Sequence, residues 1–413
     1  HGPFTVVDAG DALGLAPAVV EQTLRRLGDR LVEGAFRRER GTEWCDADVL
    51  RRIKRLTLAG LRAEIEPVTT DRLAVFVPRW QRVSDEPANR PLDEVVASLQ
   101  GAAVPASVLA RDLLPLRTRQ DRDALDRLLM TGSVVWAGRG AIGRSDGRVA
   151  LYARSQLPAL WTPTGADAPT GPAHGALRAH FAEHGASFFA DLYAAAGGGD
   201  PLEIADALWD LVWAGEVTND SAGPLWSFLK KGRRRPSRRG LSPSFPDHTA
   251  GRWSLLVVPD QTEEQRAAAW VEQLLDRHGV ITRSVVLGEG IPGGFAGLYP
   301  VLSHLESTGR IRRGYFVEGL GGAQFAAPGA VDRLRSTDDR RLLCLAATDP
   351  ANTYGSTVAW PDQVDVRFSR SAGAYVLLDD GALAGYWEAG GRSLHLLEEL
   401  APAAVAETLT RVA

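Results

Sequence analysis

The chain has 413 residues, 45% of them hydrophobic and 24% charged, with 47 basic and 51 acidic side chains for a formal net charge of −4. That length exceeds what one core supports and predicts two to four domains, while the absence of any apolar run near the roughly 20 residues that cross a bilayer argues against a membrane-spanning helix. Cys45 and Cys344 stand alone without CxxC company, so neither a disulfide framework nor a zinc site is indicated.

In chain order, four stretches repeat one pattern: a small joint, a gap and a helix ending. Residues 1–46 carry HGPFT and LRRLGDRLVEGAF, and 91–161 carry QGAAV and LDRLLMTGSVVWA. Residues 162–229 carry HGASF and LWDLVWAGEVTND, and 253–328 carry HGVIT and LSHLESTGRIRRG. In the last three, Leu125, Leu208 and Leu302 are each followed by leucine at +3, glycine at +7 and Val or Ile at +9. From joint glycine to closing glycine the distance is 31 residues (Gly101 to Gly132), 30 (Gly185 to Gly215) and 30 (Gly279 to Gly309), against 32 (Gly2 to Gly34) in the looser first copy. Two leucines one turn apart bury a helix face, the glycine takes a left-handed closing position, and the β-branched residue begins a strand. Hairpins then follow as AFRR-ERG-TEWC, VVWAGRGAIGRSDGRVALYA, EVTNDSAGPLWSF and IRRGYFVEGLGGAQFA. Helices followed by a hairpin at this spacing make a winged helix.

The first copy starts at its joint, so its leading helix is expected upstream; His1 as first residue and Met130 as sole methionine likewise predict a piece of a longer chain. Between the modules, 47–90 read as a helical connector, 230–252 as a basic linker and 329–340 as a connecting helix. Residues 341–400 alternate apolar positions through GAYVLL, a DDG turn, ALAGYW, an EAGG turn and RSLHLL, and 401–413 read as a closing helix. The expected fold class is α+β, a tandem array of winged-helix modules followed by a small β-barrel-like module. With no signal peptide in the sequence, a cytoplasmic protein is expected.

Charge distinguishes the modules. Residues 230–240, KKGRRRPSRRG, hold seven basic side chains in eleven positions: Lys230, Lys231, Arg233, Arg234, Arg235, Arg238 and Arg239. With Gly, Pro and Ser among them they read equally as a solvated linker and as a cationic segment that neutralises phosphates without fixed geometry. Module one offers Arg25, Arg26 and Arg30, and module two Arg117, Arg119 and Arg122, to a phosphate backbone. Module three has Asp200, Glu203, Asp206 and Asp210 on its third helix with no basic residue, and the corresponding helix of module four is near neutral. Both are therefore expected to be scaffold or subunit contacts, with Trp209 and Trp213 in the core. HFAEH at His180–His184 matches a zinc-protease pattern, but His184 belongs to a joint repeated at His278 and His1, and no third ligand is identifiable. No metal site is expected.

The stretches RRGYFVEGLGGAQFAAPGAVDRLR (312–335), LAATDPANTYGSTVAWP (345–361) and GTEWCDADVLRRIKRLTLAGLRAEIEPV (41–68) resemble the C-terminal region of the Lhr (large helicase-related) family of bacterial superfamily 2 helicases. The resemblance implies an ATP-dependent 3′-to-5′ DNA helicase linked to repair, acting on single-stranded DNA or an RNA:DNA hybrid. It also implies that this region assembles a homotetramer and shares the fold of AlkZ-type DNA glycosylases. No GxxxxGK[ST] loop or DExH box is present, so ATP and Mg would belong to an upstream helicase core in the same polypeptide. As an alternative function, a glycosylase needs a carboxylate or amide to position water beside a flipped base; Asp349, Asn352 and Gln324 are candidates. Turn formation and pairing across the wing account for the same three residues.

Overall fold

The computed structural model describes residues 2–37, 41–54, 66–84, 86–162, 168–230, 245–336, 342–362 and 366–410. They form two compact units, His1–Pro67 and Val68–Ala413.

In the first unit, Thr5 and Asp8 form a reciprocal capping box at the start of α1 (Val6–Leu13), which satisfies backbone donors that the first turn leaves open. After α2 (Pro17–Arg26), strands β1 (Leu31–Gly34) and β2 (Glu43–Asp46) pair antiparallel, and Phe4 bridges to Trp44 on the far side of β2. Gly34 was expected to close a helix; it lies instead at the end of β1, and Gly28, at φ 53°, takes the left-handed position. The strand therefore starts earlier than the hairpin AFRR-ERG-TEWC implies.

The second unit begins with α3 (Thr70–Trp80), whose Leu73, Ala74, Phe76 and Val77 are buried in a core shared with the wing of the fourth module and the C-terminal sheet. Three winged helices follow, and their sheets share one strand order, with the third strand between the first and second. In module two, α4 (Leu92–Leu99) precedes β3 (Val104–Pro105), α5 (Arg122–Met130) follows, and β4 (Val134–Ile142) and β5 (Asp146–Ala153) form the wing. Module three runs α6 (Pro172–His184), β6 (Ser187–Phe188), α7 (Phe189–Ala195), α8 (Pro201–Trp213) and β7 (Val217–Asn219). Module four runs α10 (Glu263–His278), β9 (Val280–Ile281), α11 (Arg283–Gly288), α12 (Gly294–Ser307), β10 (Arg312–Gly314) and β11 (Gln324–Ala326). The closing glycines Gly132, Gly215 and Gly309 all have φ between 72° and 79°, the left-handed region that other residues resist.

Module three departs from its expected hairpin. SAGPLWSF is not a strand: α9 (Gly223–Phe228) forms there, burying Leu225, Trp226 and Phe228. The partner strand is β8 (Arg252–Leu255), which pairs with both β6 and β7. Residues 220–251 thus lie between the two wing strands, and β8 completes module three rather than leading into module four. Trp209 and Trp213 are core residues; Trp209 packs 4.3 Å from Phe228 and 5.6 Å from Trp253, centroid to centroid.

After α13 (Ala330–Arg335), strands β12 (Leu342–Ala346), β13 (Tyr375–Asp379), β14 (Ala382–Trp387) and β15 (Leu394–Leu396) form an antiparallel meander in that order. Asp380 and Gly381, both at positive φ, make the tight turn the DDG sequence specifies. Among the described residues the sheet is open, with β12 and β15 at its edges, so no closed barrel forms. Helix α14 (Pro402–Thr410) packs against β12.

Candidate nucleic-acid interface

Several residues with functional potential by type lie in the interior. Arg117 and Asp349 are fully buried and paired through two hydrogen bonds, Nη2 to Oδ1 at 2.7 Å and Nη1 to Oδ2 at 3.0 Å. Arg117 also donates to Gln81 Oε1 and the Leu113 carbonyl, so it cannot reach a phosphate as its sequence context suggests. Asn352 holds its own loop, donating to the Ala347 carbonyl and accepting from the Tyr354 amide. Arg370 closes this loop with bonds to the carbonyls of Asn352, Tyr354 and Asp349, and burial lowers its pKa. Gln324, in the wing of module four, accepts from the amides of Phe316 and Val317 and donates to the Val317 carbonyl. None of Asp349, Asn352 and Gln324 is exposed, and Gln324 stands on a different element from the other two. Their environment is that of groups satisfying buried backbone.

The remaining arginines differ. Arg25, Arg26 and Arg30 are exposed, Arg25 in an i,i+4 pair with Glu21 at 2.7 Å. Arg119 is exposed, whereas the exposed Arg122 lies 5.6 Å over the ring of Trp226 in module three, and Asp126 one turn later accepts from the Ala222 amide. The third helix of module two is therefore engaged by α9. Of the basic run only Lys230 is among the described residues, exposed just after α9; Lys231, Arg233, Arg234, Arg235, Arg238 and Arg239 lie outside them. Their place in the sequence, between β7 and β8, assigns the run to the wing connection of module three. His180 bonds to Ser187 Oγ and stacks on His184, which ends α6 before Gly185.

A concave surface opens on module four between α12, the start of α11 and the wing, with a volume of about 880 Å³. Arg283 and Arg313 line it together with Phe295, Tyr299 and the glycines of the wing loop, and among the described residues no carboxylate does. The Arg313 guanidinium lies 5.9 Å over both the Tyr299 and Phe325 rings, a stacked arrangement that holds the charge at the wall of the cleft. Tyr299 is 37% exposed and Tyr315 44%. The Tyr315 hydroxyl accepts from the Gly319 amide at 2.9 Å, so with Gln324 it fixes the wing loop. A near-neutral helix concealed this site in the sequence, because its two cations come from α11 and β10.

A buried cluster fixes module four against module two. Arg277 of α10 donates to the Ser98 and Gln100 carbonyls and pairs with Glu289 at 2.6 Å; His278 bonds to the same carboxylate at 2.7 Å. Burial opposes ionisation of Glu289, but Arg277 and His278 outweigh it and hold the carboxyl well below the usual carboxylate range.

Three sheets of one strand order, each with a helix before its first strand, make this a tandem winged-helix protein. Residues 68–154 and 260–343 each match a model described as the winged-helix domain of large helicase-related protein, and module three lies between them. The chain is 40% identical over 431 positions to the Lhr helicase/probable uracil glycosylase of Mycolicibacterium smegmatis, covering 95% of this chain and 28% of that protein. It is 32% identical over 448 positions to the Lhr helicase/uracil glycosylase of Escherichia coli, covering 97% of this chain and 29% of that one. The chain thus spans under a third of the length of these relatives. Among solved structures, the Streptomyces sahachiroi DNA glycosylase AlkZ superposes with a TM-score of 0.53 at 16% identity, covering 84% of this chain and 96% of that chain; this is a likeness of fold. Modules two and four are thus winged-helix domains of the large helicase-related (Lhr) type, and the chain is similar to its Lhr relatives over nearly its whole length.

Proposed function

We propose that this chain is the nucleic-acid-binding accessory region of an ATP-dependent 3′-to-5′ DNA helicase of the Lhr type that acts in DNA repair. The observation that carries the reading is the cleft of module four, lined among the described residues by no carboxylate, where Arg283 and Arg313 flank the exposed ring of Tyr299 and the half-buried ring of Phe295 in a chain of net negative charge. Such a surface attracts a phosphate backbone, and cations fixed beside rings hold it in place. The names of the two relatives and the matched winged-helix domains support it. This chain has no phosphate-loop sequence, so ATP and Mg are assigned to a motor elsewhere in the polypeptide. Titrating the chain with a labelled 20-nucleotide strand at several salt concentrations tests the reading. The Arg283→Ser, Arg313→Ser double variant should bind more weakly and lower the salt slope by about 0.7 for each lost phosphate contact; unchanged binding and slope would remove the cleft from the interface.

Self-association into a homo-oligomer, a tetramer by family resemblance, belongs to the same reading. Phe188 and Leu202, 56% and 52% exposed on module three, are apolar side chains suited to such a contact. A monomeric mass in solution would overturn it.

A second reading, base excision by this region, is favoured by the AlkZ fold likeness and by the word glycosylase in both relatives' names. Incubation with uracil- or alkyl-containing oligonucleotides, followed by alkaline cleavage at abasic sites, separates the two readings; absence of cleavage sinks the second.

A further inference from the structure

We infer that the module-four cleft takes unpaired nucleotides, holding a base against Tyr299 and the adjacent backbone with Arg283 and Arg313, rather than reading a duplex in its major groove. The inference rests on the nucleic-acid reading above and deepens it.

In a winged helix that reads duplex DNA the third helix enters the major groove, and base edges are recognised there by Arg, Lys, Asn or Gln. GFAGLYPVLSHLES contains none of these four. His304, Glu306 and Ser307 are exposed toward its C-terminal end, but the residues it gives to the cleft are Phe295, Ala296 and Tyr299, none of which carries a side-chain amide or a cation to read base edges. It does present an aromatic ring: Tyr299 is exposed, edge-on to Phe325 at 6.1 Å, and held beneath the Arg313 guanidinium. Ring and guanidinium planes bind any base by stacking, whatever its sequence, provided the base is free of its partner.

The facing wall is suited to the same ligand. Gly319, Gly321 and Gly322 line the cleft without side chains, so a base or sugar can approach the wing backbone closely. A Cβ added at Gly322 would meet nothing within 4 Å, and its φ is not left-handed. A larger residue is therefore tolerated by the protein while occupying space a nucleotide would need. Arg283, at the start of α11, supplies a second cation for the phosphates on either side of the stacked base.

Fluorescence anisotropy of the 413-residue chain with labelled dT20, rU20 and a 20-base-pair duplex, at one fixed salt concentration, tests this. Wild type should bind both single strands more tightly than the duplex, and Tyr299→Ala should weaken single-strand binding by roughly tenfold with little change for the duplex. Tyr299→Phe should retain single-strand affinity, and Gly322→Val should lose it with Tyr299 intact; dT20 alone responding would restrict the ligand to DNA. Duplex preference by wild type, or single-strand binding unmoved in both Tyr299→Ala and Gly322→Val, overturns the inference. If those two variants are silent but Arg283→Ser, Arg313→Ser weakens binding, the interface stands and the stacking role falls. If no arm binds wild type, the nucleic-acid reading itself fails.

Discussion

Arg117 and Asp349, 232 positions apart in sequence, form a two-bonded ion pair with no exposure on either side chain. The pair joins the segment before α5 to the loop after β12, and Gln81 of the α3 end shares it. Two residues that read as a phosphate ligand, in module two, and a catalytic carboxylate, in the C-terminal β module, are thus each other's partners.

Removing one member of a buried pair strands the other charge. Asp349→Ala should destabilise the second unit by about 3–5 kcal/mol, whereas replacing both by apolar residues of similar volume should be far milder. Denaturant midpoints of the two single variants and the double variant check this; equal losses in single and double would contradict it. Any change in base-excision activity on Asp349→Ala should accordingly track the folded fraction.

Glu289 gives a pH dependence with a definite sign. Its folded pKa is depressed, so its contribution is present above the ordinary carboxylate pKa of about 4.3 and is lost as pH falls from there toward the folded value. Glu289→Gln should be destabilised at pH 7 by about 3–5 kcal/mol because Arg277 is left unpaired. Below about pH 4 the gap to wild type should narrow. Thermal melts from pH 7 to pH 3 decide, and a gap that widens on acidification would refute the assignment.

Gly138 of β4 marks where the wing of module two meets module three. A Cβ there would stand 1.9 Å from the Val212 carbonyl oxygen, although the backbone conformation itself is permissive. Gly138→Ala should cost about 1–3 kcal/mol by forcing the strand off α8. A melting temperature equal to wild type would show that the two modules do not pack this way.

Serine in place of the seven basic residues of 230–240 should reduce both single-strand affinity and its salt dependence, by about 0.7 in slope for each phosphate released. Titration at two salt concentrations measures it. Identical slopes would leave the run as a solvated connection.

What could be read along the chain is what neighbouring residues settle among themselves. Leu125, Leu208 and Leu302 bury one helix face because leucines three apart share it, and Gly132, Gly215 and Gly309 end those helices because few residues accept positive φ. The wings of modules two and four and the strands of the C-terminal meander follow from local alternation and turns. The first copy misled because its helix ends at Gly28, 26 residues from Gly2, while Gly34, 32 residues from Gly2, stands nearer the spacing of 30 or 31 in the other copies.

Pairings across long separations were decided only in three dimensions. The second wing strand of module three lies beyond residues 220–251, since Gly223 and Pro224 start a helix and the strand that completes the sheet is whichever distant segment fits beside β6 and β7. Arg117 looked available because its charge is visible in sequence while Asp349 is not beside it. Arg283 and Arg313 lie 30 positions apart on elements flanking a helix without cations, and only the packing of α11, α12 and the wing brings them to one cleft. Local torsional preference and burial period are properties of a short segment; the environment of a charge belongs to the whole fold.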